Sequence, residues 1–251
     1  MNIYFVYLGI SVADKVNRFN YLPKDQKILL IDPLLEALSE EFKQTTLPKD
    51  ISDILVRVAL LLVIARMILG GKITLLLARR LSYLIGFLYL LRIPFMMMTL
   101  FPNPLLDCIP DINPNIFENS LELLFQQKAS CGDLMFSGHT VMFMISSLVW
   151  IDYPVAKMGI ARILITVIIL TYGILSILSL IASSYHYTID VVVSVIVCLT
   201  TWKLYHFLVQ SKYFDDTWYG RFFLFIDQEQ YMLLYKKHNH ILPMYHNTLA
   251  S

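Results

Sequence analysis

Apolar residues in this chain gather into five long runs. They are roughly 54–70, Leu81–Phe101, Thr140–Val155, Ile160–Ser183 and Tyr187–Val209. Runs of this length predict helices that cross a bilayer rather than one-sided helices of a soluble bundle. Arg57 and Arg66 interrupt the first, and Gly70-Gly71-Lys72 ends or kinks it. The second carries Arg92 at its centre with Pro94 just beyond. Before the runs, Ile3–Val12 is an apolar decamer, too short to span a bilayer and without the basic start of a signal peptide. Asp14–Thr46 is mixed and charged and predicts helix and loop outside the membrane core. The segment Pro102–Gly138 is polar, with prolines and two Asn-Pro steps, and predicts irregular structure. From Asp215 onward lies a tail with aromatic and basic residues, in which Trp218–Ile226 is expected to lie flat at an interface. The expectation is an all-α polytopic membrane bundle with five clear spanning runs. Residues 1–52 form an extramembrane or partly embedded segment, 53–210 the membrane-embedded catalytic domain, and 211–251 a cytoplasmic tail.

Composition strengthens this picture. Of 251 residues, 57% are hydrophobic and 16% charged, against roughly 45–50% and 25% in soluble domains. The net charge of +1 gives no argument for nucleic acid. The placement of charge says more than its sum, because basic loops stay on the cytoplasmic side. Lys72, Arg79 and Arg80 lie between the first two runs, Lys157 and Arg162 between the third and fourth, and Lys203, Lys212, Arg221, Lys236 and Lys237 toward the C-terminus. Those regions are expected to be cytoplasmic. The 102–138 loop has Lys128 against Asp107, Asp111, Glu118, Glu122 and Asp133, and the link at 183–186 has no lysine or arginine. Both are expected on the lumenal or exoplasmic side.

That alternation puts two histidines at the same face. His139 closes the stretch Cys131-Gly-Asp-Leu-Met-Phe-Ser-Gly-His-Thr140 at the mouth of the third run, and His186 opens the fifth in Tyr185-His-Tyr-Thr-Ile-Asp190. Two such histidines suit phosphoryl transfer: one attacks phosphorus while the other moves the proton of the leaving and entering alcohols. His186 is the expected nucleophile and His139 the general acid and base. Asp190 is spaced i, i+4 from His186, so on a helix it would share its face and orient the ring. Ser137 and Gly138 are placed to offer backbone N–H groups to phosphate oxygens at a helix N-terminus. Arg92, a charge in mid-run, is a candidate phosphate ligand. No third ligand accompanies the histidines as a metal site requires, and the reading needs no cofactor. His238 and His240 read as polar tail residues.

Cys108 and Cys131 both fall in the loop placed outside the cytoplasm, where disulfides persist. They are expected to pair and tether the loop beside His139. Cys198, in an apolar run, is expected to be a small buried residue.

These residues also resemble a family. Cys131–Thr140 and His186-Tyr-Thr-Ile-Asp-Val191 are similar to the third and fourth signatures of the sphingomyelin synthases. Arg79-Arg80, Gly86, Leu88-Tyr89, Arg92, Met98-Thr99 and Pro102 are similar to the second, and Leu47-Pro48-Lys49-Asp50 with Asp53 loosely to the first. The resemblance covers about residues 47–210. It implies a six-span bundle of the lipid phosphate phosphatase type, in the Golgi or plasma membrane. It implies transfer of a phospho-headgroup (phosphocholine foremost, phosphoethanolamine or inositol phosphate in related members) from a glycerophospholipid to ceramide, releasing diacylglycerol. The implied partners are those membrane lipids, and a homo-oligomer is compatible with the resemblance. Its catalytic residues fall on His139, His186 and Asp190, and Tyr89 and Arg92 join the substrate-binding set. The sister lipid phosphatases carry Ser-Arg ahead of the second histidine. Here Ser179 is followed by Leu180, and the Lys-x6-Arg-Pro of those enzymes fails at Ile85 and Ile93. Transfer is thereby favoured over hydrolysis, with a hydrolase and a catalytically weak lipid-binding protein as the other readings.

Overall fold

The computed structural model describes residues 2–17, 29–43, 51–105, 113–124, 130–132, 134–155 and 159–210, with isolated positions 22, 26, 108 and 217. The expectations for Leu47–Asp50, Lys157 and Trp218–Ile226 lie outside these residues. Among the described residues eight α-helices follow one another: α1 (Asn2–Val16), α2 (Pro33–Lys43), α3 (Ile51–Ile68), α4 (Thr74–Met98), α5 (Ile116–Leu124), α6 (Gly138–Asp152), α7 (Ile160–Ala182) and α8 (Thr188–Gln210). A single 3₁₀ turn, Gly71–Ile73, joins α3 to α4, and Thr74 Oγ1 donates to Met67 O at 2.7 Å across the corner.

Each of the five apolar runs lies on a helix. Three helices, 74–98, 160–182 and 188–209, are long and apolar enough to cross a membrane. α3 is 18 residues long and carries Asp53, Arg57 and Arg66, whereas α6 has 15 residues and a length of roughly 22 Å. α6 is the central helix and packs against α3, α4, α7 and α8. Its start is set by Ser137, whose side chain accepts from Thr140 N at 3.2 Å, as an N-cap residue does. It ends ahead of Pro154. Around it Val63, Leu81, Leu84, Leu88, Val141, Ile145, Val149, Cys198 and Trp202 form the main core. Burying one such aliphatic side chain contributes about 1.5–3 kcal/mol against water; against lipid, close packing and small residues matter more. At Gly173 of α7 an added Cβ would come within 2.7 Å of Ser147 Oγ, so this glycine lets α6 and α7 approach.

The N-terminal part differs from its sequence expectation in detail. The Ile3–Val12 decamer belongs to α1, which packs in the bundle against α4 and α5. Gly9 faces Ile93, and Asn17 Nδ2 donates to Phe101 O at 2.8 Å, so α1 runs parallel to the second half of α4. Val6 and Ile10 are buried with Met96 and Leu123. α2 packs on the end of α7 through Leu35 and Leu38, beside Ile181, Tyr187 and Val191. Its N-cap is Asp32: Leu35 N donates to Oδ1 at 3.1 Å. The same carboxylate accepts from Thr188 N at 2.6 Å and Thr188 Oγ1 at 2.8 Å, at the start of α8.

The expectation of irregular structure throughout Pro102–Gly138 is corrected by α5. Pro114 stops short of that helix instead of breaking it, and Asn115 Oδ1 caps it by accepting from Phe117 N at 3.1 Å. Leu123 then gives α5 an apolar contact with α1. The remainder of the segment is fastened at several points. Cys108 and Cys131 form a disulfide with Cα atoms 5.8 Å apart. Asn103 Nδ2 donates to Cys131 O at 2.8 Å, and Asp14 Oδ1 of α1 accepts from the N–H groups of Cys131 and Gly132. With the cysteines 23 positions apart, chain entropy places the disulfide's contribution near 3 kcal/mol. Cys108→Ser is therefore expected to lower the unfolding temperature markedly in a thermal melt while leaving the rate of any lipid reaction within a few-fold.

Candidate functional site

The site is built where α3, α6 and α8 begin and α4 ends. His139 is the second residue of α6. His186 is not on α8 but in the tight link that precedes it, where Ser184 adopts a positive φ of 56°. The turn is closed by Ser184 N and Tyr185 N, which donate to Ile181 O and Leu180 O at 3.0 and 3.1 Å. It brings the two imidazoles to a centroid separation of 6.1 Å.

His186 is buried, 3% exposed, and so is Asp190. The sequence expectation of a shared helix face with a ring-holding hydrogen bond needs correction. Because His186 lies ahead of the helix, its Nδ1 is 3.9 Å from Asp190 Oδ2, an ion-pair distance beyond hydrogen-bond range. Asp190 Oδ2 instead accepts from Tyr187 N at 3.2 Å and so holds the link itself. The His186 ring is also hydrogen-bonded to the backbone of Leu134, in the segment ahead of α6. Burial holds this imidazole well below the ordinary histidine range, and the charges of His139 and Arg92 act in the same direction. Burial and these charges thus favour the neutral imidazole.

His139 is more open, and its ring nitrogen Nε2 lies 3.0 Å from Asp53 Oδ1. The other oxygen of that carboxylate accepts from Tyr185 Oη at 3.1 Å. Asp53 enters the sequence reading only as part of a loosely matching motif, and its place as the partner of His139 was missed there. A carboxylate in the first turn of an apolar helix was the available signal.

Arg92 is 2% exposed. Its Nε donates to Phe136 O at 2.6 Å, and its guanidinium lies 6.0 Å from the Tyr89 ring centroid. It packs so close to the start of α6 that a Cβ on Gly138 would meet Nη1 at 2.6 Å. Tyr89 Oη donates to Gly138 O at 3.3 Å. Ser137, expected to offer its backbone N–H to phosphate, uses its buried side chain to cap α6. The first N–H groups of α6 have no carbonyl within the helix to bond, and they open where Arg92 and both histidines converge. The arrangement can hold a phosphate group against one neutral and one carboxylate-linked imidazole. Among the described residues no three His, Cys, Asp or Glu side chains gather as a metal site.

Residues 130–207 match the family profile described as PAP2 superfamily C-terminal. No curated protein matches the chain. The matched stretch holds α6, α7 and most of α8, with both histidines and Asp190, while Asp53 and Arg92 lie outside it. The match supports a place in the lipid phosphate phosphatase-like superfamily, a helical membrane fold whose members are phosphatases or phosphotransferases acting on lipid phosphates.

Proposed function

We propose that the protein transfers a phospho-headgroup from a glycerophospholipid to ceramide through a phosphohistidine. The observation that carries this reading is the 6.1 Å approach of a buried histidine to a carboxylate-linked one. His186 gives up its Leu134 contact, its ring proton moves to Nδ1 on the Asp190 side, and Nε2 attacks phosphorus. The bond to the diacylglycerol oxygen breaks, and His139 supplies the proton that makes the alcohol. In the second half His139 takes the proton of the ceramide hydroxyl, whose oxygen attacks phosphorus and frees His186. Arg92 and the α6 N-terminus take the phosphate oxygens. Asp190 balances the charge on phosphorylated His186, and Asp53 orients His139. One feature favours transfer over hydrolysis: buried Leu180 stands where the lipid phosphatases carry arginine.

The test supplies purified protein with headgroup-labelled phosphatidylcholine, phosphatidylethanolamine or phosphatidylinositol, with and without ceramide. Label moving to ceramide is the expected result, and the donor that serves best names the headgroup. Label released only to water would make the protein a hydrolase, and no turnover would leave a lipid-binding role. In the same assay Asp53→Asn is expected to lower kcat about 10–100-fold with little change in KM, since it leaves the ring in place without the negative charge that steadies its protonated form. A parent-like kcat would remove Asp53 from the mechanism.

A further inference from the structure

At the end of the bundle remote from the histidines lies a second polar cluster that the proposed reaction does not use. Arg66, in the last turn of α3, is 2% exposed, and Arg80 of α4 is 6% exposed. Both engage Tyr153, just past the end of α6. Arg66 Nε donates to its carbonyl at 2.5 Å, and Arg80 Nη1 to its hydroxyl at 2.6 Å. That hydroxyl is 2.7 Å from His206 Nε2 of α8. The nearby carboxylate, Asp152, accepts instead from Trp202 Nε1 at 2.6 Å and pairs with Lys203 at 3.8 Å. Arg66 has no carboxylate within salt-bridge reach among the described residues, and its Nη1 is buried without a hydrogen-bond partner.

A buried guanidinium without a counter-charge is costly, and its remaining donors call for an anion. Snorkelling would lower that cost by exposing the head group, but Arg66 is enclosed instead. The depth is informative. Arg80 lies six residues from the start of α4, roughly 9 Å along the helix. α6 stops at the level of the cluster, and a Cβ on Gly71, at the α3–α4 corner, would meet nothing within 4 Å. A phosphate in the headgroup layer can approach there, and an arginine fork binds it through two donors.

We infer that this cluster binds the phosphate group of an anionic ligand from the leaflet opposite the histidine site, with Arg66 as its principal contact. The test melts the full chain in a maltoside detergent free of phosphate, against dioctanoyl phosphatidylglycerol, inorganic phosphate, or sulfate at matched ionic strength. A saturable rise in Tm with the lipid is expected. A rise with inorganic phosphate as well assigns the site to the phosphate group alone, whereas a rise with lipid only assigns it to a phospholipid. Arg66→Gln is expected to raise the half-saturating concentration roughly tenfold or more, and His186→Ala to leave it unchanged. Should Arg66→Gln not fold, Arg66→Lys replaces it, and loss of the fork is expected to weaken binding by roughly tenfold. The inference is overturned by a parent response no larger than that to sulfate. It is equally overturned by an unchanged half-saturation in the Arg66 variant, the result if Arg66 only ties α3 to α6. Loss of the response in His186→Ala would place the ligand at the histidine site instead.

Discussion

His186→Ala is expected to release no measurable diacylglycerol from the donor lipid, a loss of at least ~10⁴-fold. The other groups of the site assist a displacement at phosphorus, whereas His186 forms the new bond. A labelled, acid-labile adduct should form on the parent chain, map to His186 and be missing from the variant. His139→Ala should fall by about 10²–10⁴-fold, the usual share of a proton-transfer group. Asp190→Asn should lose less than His186→Ala, because its carboxylate stands 3.9 Å from the ring and acts on the cation through space. The pH dependence follows from the buried ring. The neutral imidazole is the nucleophile, and burial depresses its protonation. His186 therefore stays competent through neutral pH and is lost only well below the ordinary histidine value of about 6.5. Release of diacylglycerol by His186→Ala at near the parent rate would end the nucleophile assignment.

Gly138→Ala is expected to cost about 10²–10³-fold in kcat/KM, out of proportion to its size. The new Cβ would fall 2.6 Å from Arg92 Nη1 and 3.0 Å from its Cζ. An exposed arginine would swing away at little cost. Arg92 is buried, tied to Phe136 O and packed against Tyr89, so the guanidinium must leave its position above the α6 N-terminus. Displacing a phosphate ligand by about 1 Å is enough for a loss of this order. Stability should change by only about 1–3 kcal/mol, the usual cost of one overpacked methyl. Measuring turnover beside the unfolding temperature separates the two effects. Activity within threefold of the parent would mean that Arg92 is not poised on the substrate phosphate.

Much of this arrangement was legible because membrane helices are marked by composition alone. A run such as Ile160–Ser183 needs no partner to declare itself, and the structure holds a helix on all five runs. The approach of His139 and His186 was legible for a related reason: helices that alternate in direction bring the starts of the third and fifth runs to one end. What stayed hidden depends on distant contacts. Asp53 lies 86 positions from His139, and nothing in the residues between announces that pairing. α1 reads as too short to span because the length rule is silent on a helix that runs beside half of another. α5 was concealed by prolines that weigh against helix when counted but are tolerated when one falls just before a cap. Asp190 shows the limit of a spacing rule. The i, i+4 relation presumes a helix at both residues, and the link puts His186 outside it.

Asp32 has a consequence for how the site opens. One carboxylate serves as the cap of α2 and as the acceptor for both Thr188 donors at the head of α8. An 11-residue helix has little stability of its own, so α2 persists through that carboxylate and its packing on α7. Fraying of α2 therefore cannot be confined to α2. It strips two hydrogen bonds from the first residue of the helix that carries Asp190, two positions beyond His186. Unfastening the small outer helix and loosening the neighbourhood of the nucleophile are one cooperative opening, with one free energy.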